Sequence, residues 1–217
     1  QSLSFALFFF AYYGYVGVFS PYASLYFADK GIGAAQIGVL MSLMQVMRIF
    51  GPNLWGWVAD HTSRRVLVLR LTSIAAATVF CGIFWGQGFL FYFGVLVLLN
   101  LFTSAQGPLS EALMLSAMRG DLTHYGRLRL WGSVGFIVSV MLSGQLLDWF
   151  GVGLVPWISL ALLTMVAAVT FNMREEGTSH PDVPVPSVRE LLRQKEVVAF
   201  FVSTFLMVAA HASLYVY

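Results

Sequence analysis

The sequence predicts an all-α membrane protein, a bundle of six transmembrane helices followed by the start of a seventh. Three observations carry that expectation. Of 217 residues, 59% are apolar and only 10% are charged, whereas a soluble domain needs about a quarter charged residues to hydrate its surface. The apolar residues fall into long runs, each close to the ~20 residues that a helix needs to cross about 30 Å of hydrocarbon. The basic residues gather in alternate connections between those runs. The single cysteine, Cys81, excludes a disulfide within the chain.

The first run covers 3–27. Neither a basic leader nor a small-residue cleavage site precedes it, so it is expected to be a retained span. Further runs follow at 35–59, 66–85, 89–118, 130–150 and 155–171. A seventh begins near Val197 and is still apolar at Tyr217, which implies a span cut short and a C-terminal half beyond it. The expected organisation is a six-helix bundle over 1–171, a linker over 172–196 and the start of helix seven over 197–217. Within the linker, Pro181, Pro184 and Pro186 favour extended chain. Ser187 and Glu190 then stand three apart ahead of Leu191 and Leu192, the spacing of a capping box. A short amphipathic helix at the membrane interface is expected there.

The connections fix an orientation. Those at 28–34, 86–88 and 151–154 hold only Lys30 among basic residues. Arg64, Arg65, Arg70, Arg119, Arg127, Arg129, Arg174, Arg189, Arg193 and Lys195 lie on or near the other side. The positive-inside rule makes that side cytoplasmic, and the N-terminus with it.

Charges inside the runs need a different explanation, because an arginine at the bilayer centre costs roughly 2.5–3.5 kcal/mol on insertion scales. Arg48 lies mid-run, with Gln45 and Pro52 at helical spacing. It serves either a watery cavity or the carbonyls of a neighbouring helix. Glu111 shares a face with Asn100, Ser104 and Gly107, beside a ladder that Pro108 weakens. An intramembrane acid points to function. Arg129 opens the fifth run at the same distance from the turn as Glu111, so it either pairs with that acid or simply flanks the membrane. His211, in the seventh run, suits a proton relay or a neutral hydrogen bond. Tyr13, Gly17, Ser20 and Ser24 make a helix-one face suited to lining a cavity, or to close packing.

Five segments carry a family resemblance. Gly56-Trp57-Val58-Ala59-Asp60-His61-Thr62-Ser63-Arg64-Arg65 resembles the major facilitator signature between helices two and three, with His61 replacing a basic residue and Ser63 a glycine. An anion at a helix C-terminus is electrostatically unfavourable. The resemblance gives Asp60 a reason to be there, since Gly56, Asp60, Arg64 and Arg65 would form the cytoplasmic gate. Tyr125-Gly126-Arg127-Leu128-Arg129-Leu130-Trp131-Gly132-Ser133 is similar to the branch that holds lactose permease and the 3-phenylpropionate transporter. So are Arg48-Ile49-Phe50-Gly51, Pro108 through Glu111, and Ala210-His211-Ala212.

The resemblance implies the major facilitator fold and alternating access. It implies proton-coupled symport of a small organic substrate, best an aromatic carboxylate such as 3-phenylpropionate. Arg48, Glu111, Arg129 and Phe136 would bind substrate, Phe136 standing where the branch has a sugar-stacking tryptophan. Glu111 and His211 would carry the proton. The expected partners are substrate, proton, lipid bilayer and the C-terminal half of the same protein, in a monomer of the cell inner membrane. No cofactor, metal or nucleic acid is expected.

A sugar or nucleoside symporter is the alternative within the same class. A seven-helix receptor is the alternative from another class, opposed by the cytoplasmic N-terminus and by a seventh run without lysine for a retinal Schiff base. No P-loop, zinc-binding His-Glu-x-x-His or nucleophile elbow is present to suggest an enzyme.

Overall fold

The computed structural model describes residues 1–118, 121–174 and 193–214, without the side chains of residues 122 and 208–214. The chain divides into two compact units, Gln1–Gly177 and Thr178–Tyr217. The first holds six helices: α1 Ser2–Asp29, α2 Ala34–Thr62, α3 Arg65–Phe80, α4 Phe89–Met118, α5 Leu122–Phe150 and α6 Val155–Thr170. Short 3-10 turns, Cys81–Phe84 and Val152–Leu154, extend α3 and introduce α6. The second unit contributes α7, Lys195–Leu214. Six helices among the described residues are long and apolar enough to cross a membrane, so this is a multi-pass membrane protein. The proline-bearing part of the linker and its capping box lie outside the described residues.

Local chemistry sets the boundaries. Gly31, Gly88 and Gly151 take positive φ where α1, α3 and α5 give way to the next element. Pro156 sits in the first turn of α6, where its missing N–H costs nothing. One sequence expectation needs correction. The fifth helix starts at Leu122, eight residues before the apolar run at 130. Asp121 caps it, its carboxylate accepting from the backbone N–H of Thr123 and His124 at 3.0 Å each. Arg127 and Arg129 therefore lie inside the helix rather than at its mouth.

The packing has an internal symmetry. α1 packs chiefly against α5 and α6, α4 packs against α2 and α3, and α3 meets α6. Exchanging α1, α2, α3 for α4, α5, α6 leaves this pattern unchanged. The least buried spans are α2 and α5, which the exchange maps onto each other. A repeated three-helix unit is a recurrent way of building transporter bundles.

Two apolar clusters fill the bundle. One joins Phe5, Phe8, Phe9, Ala59, Val66, Leu113, Leu128 and Val169 at the end that carries the N-terminus and the basic turns. The other joins Phe19, Phe27, Leu40, Phe80, Tyr92, Leu99 and Val155 at the opposite end. Gln1 and Ser2 tie the basic end together, Gln1 Nε2 donating to the Arg174 carbonyl at 3.2 Å and Ser2 Oγ lying 3.2 Å from His124 Nε2. Between the clusters lies a layer of polar side chains. With no water in a bilayer core to satisfy such groups, their partners matter.

Candidate functional site

Glu111 and Arg129 meet at the depth of the first cluster, which holds Leu109, Leu113 and Leu128 of the same two helices. Glu111 lies seven residues before the last residue of α4 (118 − 111), and Arg129 seven after the first of α5 (129 − 122). Antiparallel neighbours then present both at one depth. Arg129 Nε donates to Glu111 Oε1 at 3.2 Å, and its Nη2 donates to the Tyr13 hydroxyl on α1 at 2.6 Å. The guanidinium carbon also stands 4.2 Å from the Tyr13 ring centroid and 5.7 Å from that of Phe9. A carboxylate, a phenol oxygen and two ring faces thus hold one cation. About a third of each ionic side chain stays open, 31% for Arg129 and 36% for Glu111. The pair is anchored but reachable.

Gly132, one turn beyond Arg129, lets this arrangement close. A Cβ there would lie 2.7 Å from Tyr13 Cδ2 and 3.0 Å from Arg129 Nη1. Phe136, two turns beyond Arg129, is partly exposed and packs its backbone against Gly17 of α1. A Cβ on Gly17 would come within 2.8 Å of the Phe136 carbonyl. The glycine face of helix one therefore serves close packing at Gly17, while Tyr13 is turned to the charged pair.

Arg48 sits at the fifteenth of the 29 residues of α2, mid-span as expected. Its Nη1 donates to Gln45 Oε1 at 3.5 Å, the limit of a hydrogen bond. Among the described residues no carboxylate pairs with it. It lines a cavity with Tyr12, Val16 and Phe19 of α1 and with Asn100, Thr103 and Ser104 of α4. The three α4 side chains donate to carbonyls of their own helix, Leu96, Leu99 and Leu101, at 2.8, 2.9 and 2.6 Å. Gln106, close by on the same helix, is fully buried with both amide atoms unpartnered among the described residues.

The segment that the resemblance assigns to a gate lies apart, at the basic end. Asp60 accepts from Arg65 Nη2 at 2.9 Å across the turn and is well exposed, 68% by side chain. Ser63, where the resemblance places glycine, adopts φ 51° and ψ 28°. The turn thus keeps the left-handed conformation that glycine prefers. Gly56 has open space where a Cβ would go, so packing within the bundle does not require it. Arg64 occupies the N-cap position of α3 without a capping bond from its side chain. His211 belongs to α7 by its backbone, and its side chain lies outside the described residues. No metal-binding cluster occurs among the described residues.

Sequence reasoning missed the partners of Arg129 on α1, Phe9 and the Tyr13 hydroxyl, and the whole lining of the Arg48 cavity. A signal for the second was present. Arg48-Ile49-Phe50-Gly51 on α2 repeats in kind as Arg129-Leu130-Trp131-Gly132 on α5.

Comparison with known proteins follows the same lines. The sequence profile of the MFS_1 like family matches residues 2–217. Maltose permease of Geobacillus stearothermophilus is 34% identical over 206 residues, covering 94% of this chain and 52% of the permease. A probable 3-phenylpropionic acid transporter of Escherichia coli K12 is 31% identical over 178 residues, covering 81% of this chain and 46% of that protein. The chain spans about half the length of the curated relatives it matches.

Proposed function

The chain belongs to the MFS_1 like family of the major facilitator superfamily, and on that footing we propose that it forms part of a proton-coupled symporter for a small aromatic carboxylate. The observation that carries the reading is the Glu111–Arg129 pair, an acid and a base held at one depth inside the bundle and open on one side. An intramembrane pair of this kind is where coupling is expected, because protonating the acid frees the base for a substrate anion. Arg48 adds a second cation without an acid of its own, so the polar layer favours an anionic ligand. Phe136 offers a ring face, two turns along α5 from Arg129, for an apolar substrate body.

The proposal places the basic end in the cytoplasm, with the protein in the inner membrane, by the excess of arginines on that side. Alternating access then exposes the polar layer to each face in turn. A proton taken by Glu111 releases Arg129 from its carboxylate, and substrate and proton enter together. Asp60 and Arg65 hold the α2–α3 turn in the shape that the gate requires. His211 is a second candidate for the proton.

Labelled 3-phenylpropionate uptake, in cells expressing the gene, tests both parts. Uptake that falls when the pH gradient is collapsed is expected. Equal uptake without a gradient would remove the coupling, and no uptake would remove the substrate. A second reading, a neutral sugar, is favoured by the 34% identity to a maltose permease and by a pair that offers both donor and acceptor to hydroxyls. A thermal-shift panel of organic acids and sugars separates the two, since a ligand stabilises the state it binds.

A further inference from the structure

The repeated arginine pattern and the packing symmetry together define a register between the two three-helix units. A Cβ on Gly51 would run into Ser104 of α4, and one on Gly132 would meet Tyr13 of α1. The exchange of units maps α2 on α4 to α5 on α1. The two glycine contacts are therefore mates, and so are Tyr13 and Ser104, 91 positions apart (104 − 13). An independent observation checks that register. Arg129 stands over the rings of Phe9 and Tyr13. Ninety-one positions on are Asn100 and Ser104, and these two share the cavity of Arg48.

The same register carries Glu111 back to Ser20 (111 − 91). Ser20 is exposed and lies one turn beyond Val16, which lines the Arg48 cavity. The two arginines thus occupy equivalent scaffolds with different surroundings. At the register position of Glu111, the first unit carries a serine. Where Arg129 has two aromatic faces, the Arg48 site has an amide and a small hydroxyl. Each difference takes away something that satisfies a guanidinium, and the cavity lies between these smaller side chains and Tyr12, Tyr15 and Phe19.

We infer that Arg48, Asn100 and Ser104 form the subsite that takes the carboxylate of the transported acid, the ligand's anion standing where Glu111 stands beside Arg129. This rests on the proposed reading of the chain as a carrier of organic acids, and it divides the labour between the arginines. Arg48 holds the carboxylate of the ligand, and Arg129 is the cation whose pairing the proton on Glu111 controls. A guanidinium presents a planar fork that matches a carboxylate. Asn100 spends one amide proton on the Leu96 carbonyl and keeps a second for a ligand. The cavity volume of about 40 Å3 exceeds the ~10–15 Å3 that one water needs. That leaves room for a small polar group beside the guanidinium.

The test uses the purified full chain, with 3-phenylpropionate and its uncharged amide, 3-phenylpropanamide, as probes. Thermal shift should show the acid stabilising the protein and the amide failing to do so. Arg48→Gln should weaken the acid at least about tenfold, the size of one lost charge-assisted hydrogen bond, and remove the preference for acid over amide. Ser20→Glu supplies the missing acid. It should raise the melting temperature with Arg48 present, fail to do so combined with Arg48→Gln, and abolish binding of the acid.

If Ser20→Glu does not fold, Arg48→Lys replaces it, and should keep the preference for the acid at reduced affinity. An acid-over-amide preference that survives in Arg48→Gln or Ser20→Glu overturns the inference, as does its absence in the unaltered protein or in Arg48→Lys. Failure of proton coupling is read separately, in uptake by the unaltered protein with the pH gradient collapsed.

Discussion

Set side by side, the arginine of α5 and the arginine of α2 show one scaffold holding a charge in two ways. Arg129 has an acid at 3.2 Å, a phenol at 2.6 Å and two aromatic faces. Arg48 has one marginal contact with Gln45 and a cavity. Both precede a glycine that lets the helix close on its neighbour. The backbone contact is common to the two units, and the polar partners are not. A bundle built this way holds its helices with small residues while leaving its charges free to diverge.

Breaking the close helix contacts should give the largest effect. A Cβ on Gly135 would strike the Phe10 backbone of α1, which has no rotamer to yield. Gly135→Ala should cost about 3 kcal/mol, the upper part of the range for overpacking, in unfolding from detergent micelles. Gly51→Ala meets only the Ser104 side chain, so Ser104→Gly should restore most of what it loses. No rescue would mean that α2 and α4 close on each other by some other contact.

Next come the charges themselves. Arg129→Met strands Glu111 and should cost about 2 kcal/mol, less than the 3–5 of a fully buried pair because the site is a third open. Arg48→Met strands nothing and should be neutral or slightly stabilising in the same assay. Adding Glu111→Met to Arg129→Met should recover most of the loss. Equal costs at the two arginines would erase the difference on which the comparison rests.

The turns after α2 and α5 make a smaller contrast. Gly151 follows α5 at φ 82°, whereas Ser63 follows α2 at φ 51°. Ser63→Gly should therefore stabilise by about 1 kcal/mol, since a residue with a Cβ is strained in that conformation. Smallest of all is Asp60→Asn. Its bond to Arg65 is exposed, so the loss should stay within about 1 kcal/mol. Any large fall in uptake with that variant then reports on the gate and not on folding.

What the sequence made legible follows what hydrocarbon demands. The six spans could be read because each must bury its backbone in a helix of the right length. The common depth of Glu111 and Arg129 could be read by counting from the turn between them. The start of α5 could not be read by hydropathy, because Thr123, His124, Gly126 and Arg127 interrupt the apolar pattern. Only the cap at Asp121 marks it.

Which helices adjoin was also hidden. In a bilayer, the faces that meet lipid and the faces that meet protein are equally apolar, so periodicity does not separate them. The Tyr13 hydroxyl and the Asn100–Ser104 side of the Arg48 cavity come from helices one and four, and only packing brings them to their arginines. The repeated arginine pattern lay in plain view. It gained meaning once α2 and α5 proved equivalent in the bundle.

The most direct test of the Glu111–Arg129 pair as the coupling centre is 3-phenylpropionate transport by Glu111→Gln, measured both as accumulation driven by a pH gradient and as exchange without one. Accumulation should be lost while exchange persists, because the substituted side chain holds its place but carries no proton. Accumulation at the level of the unaltered protein would contradict it.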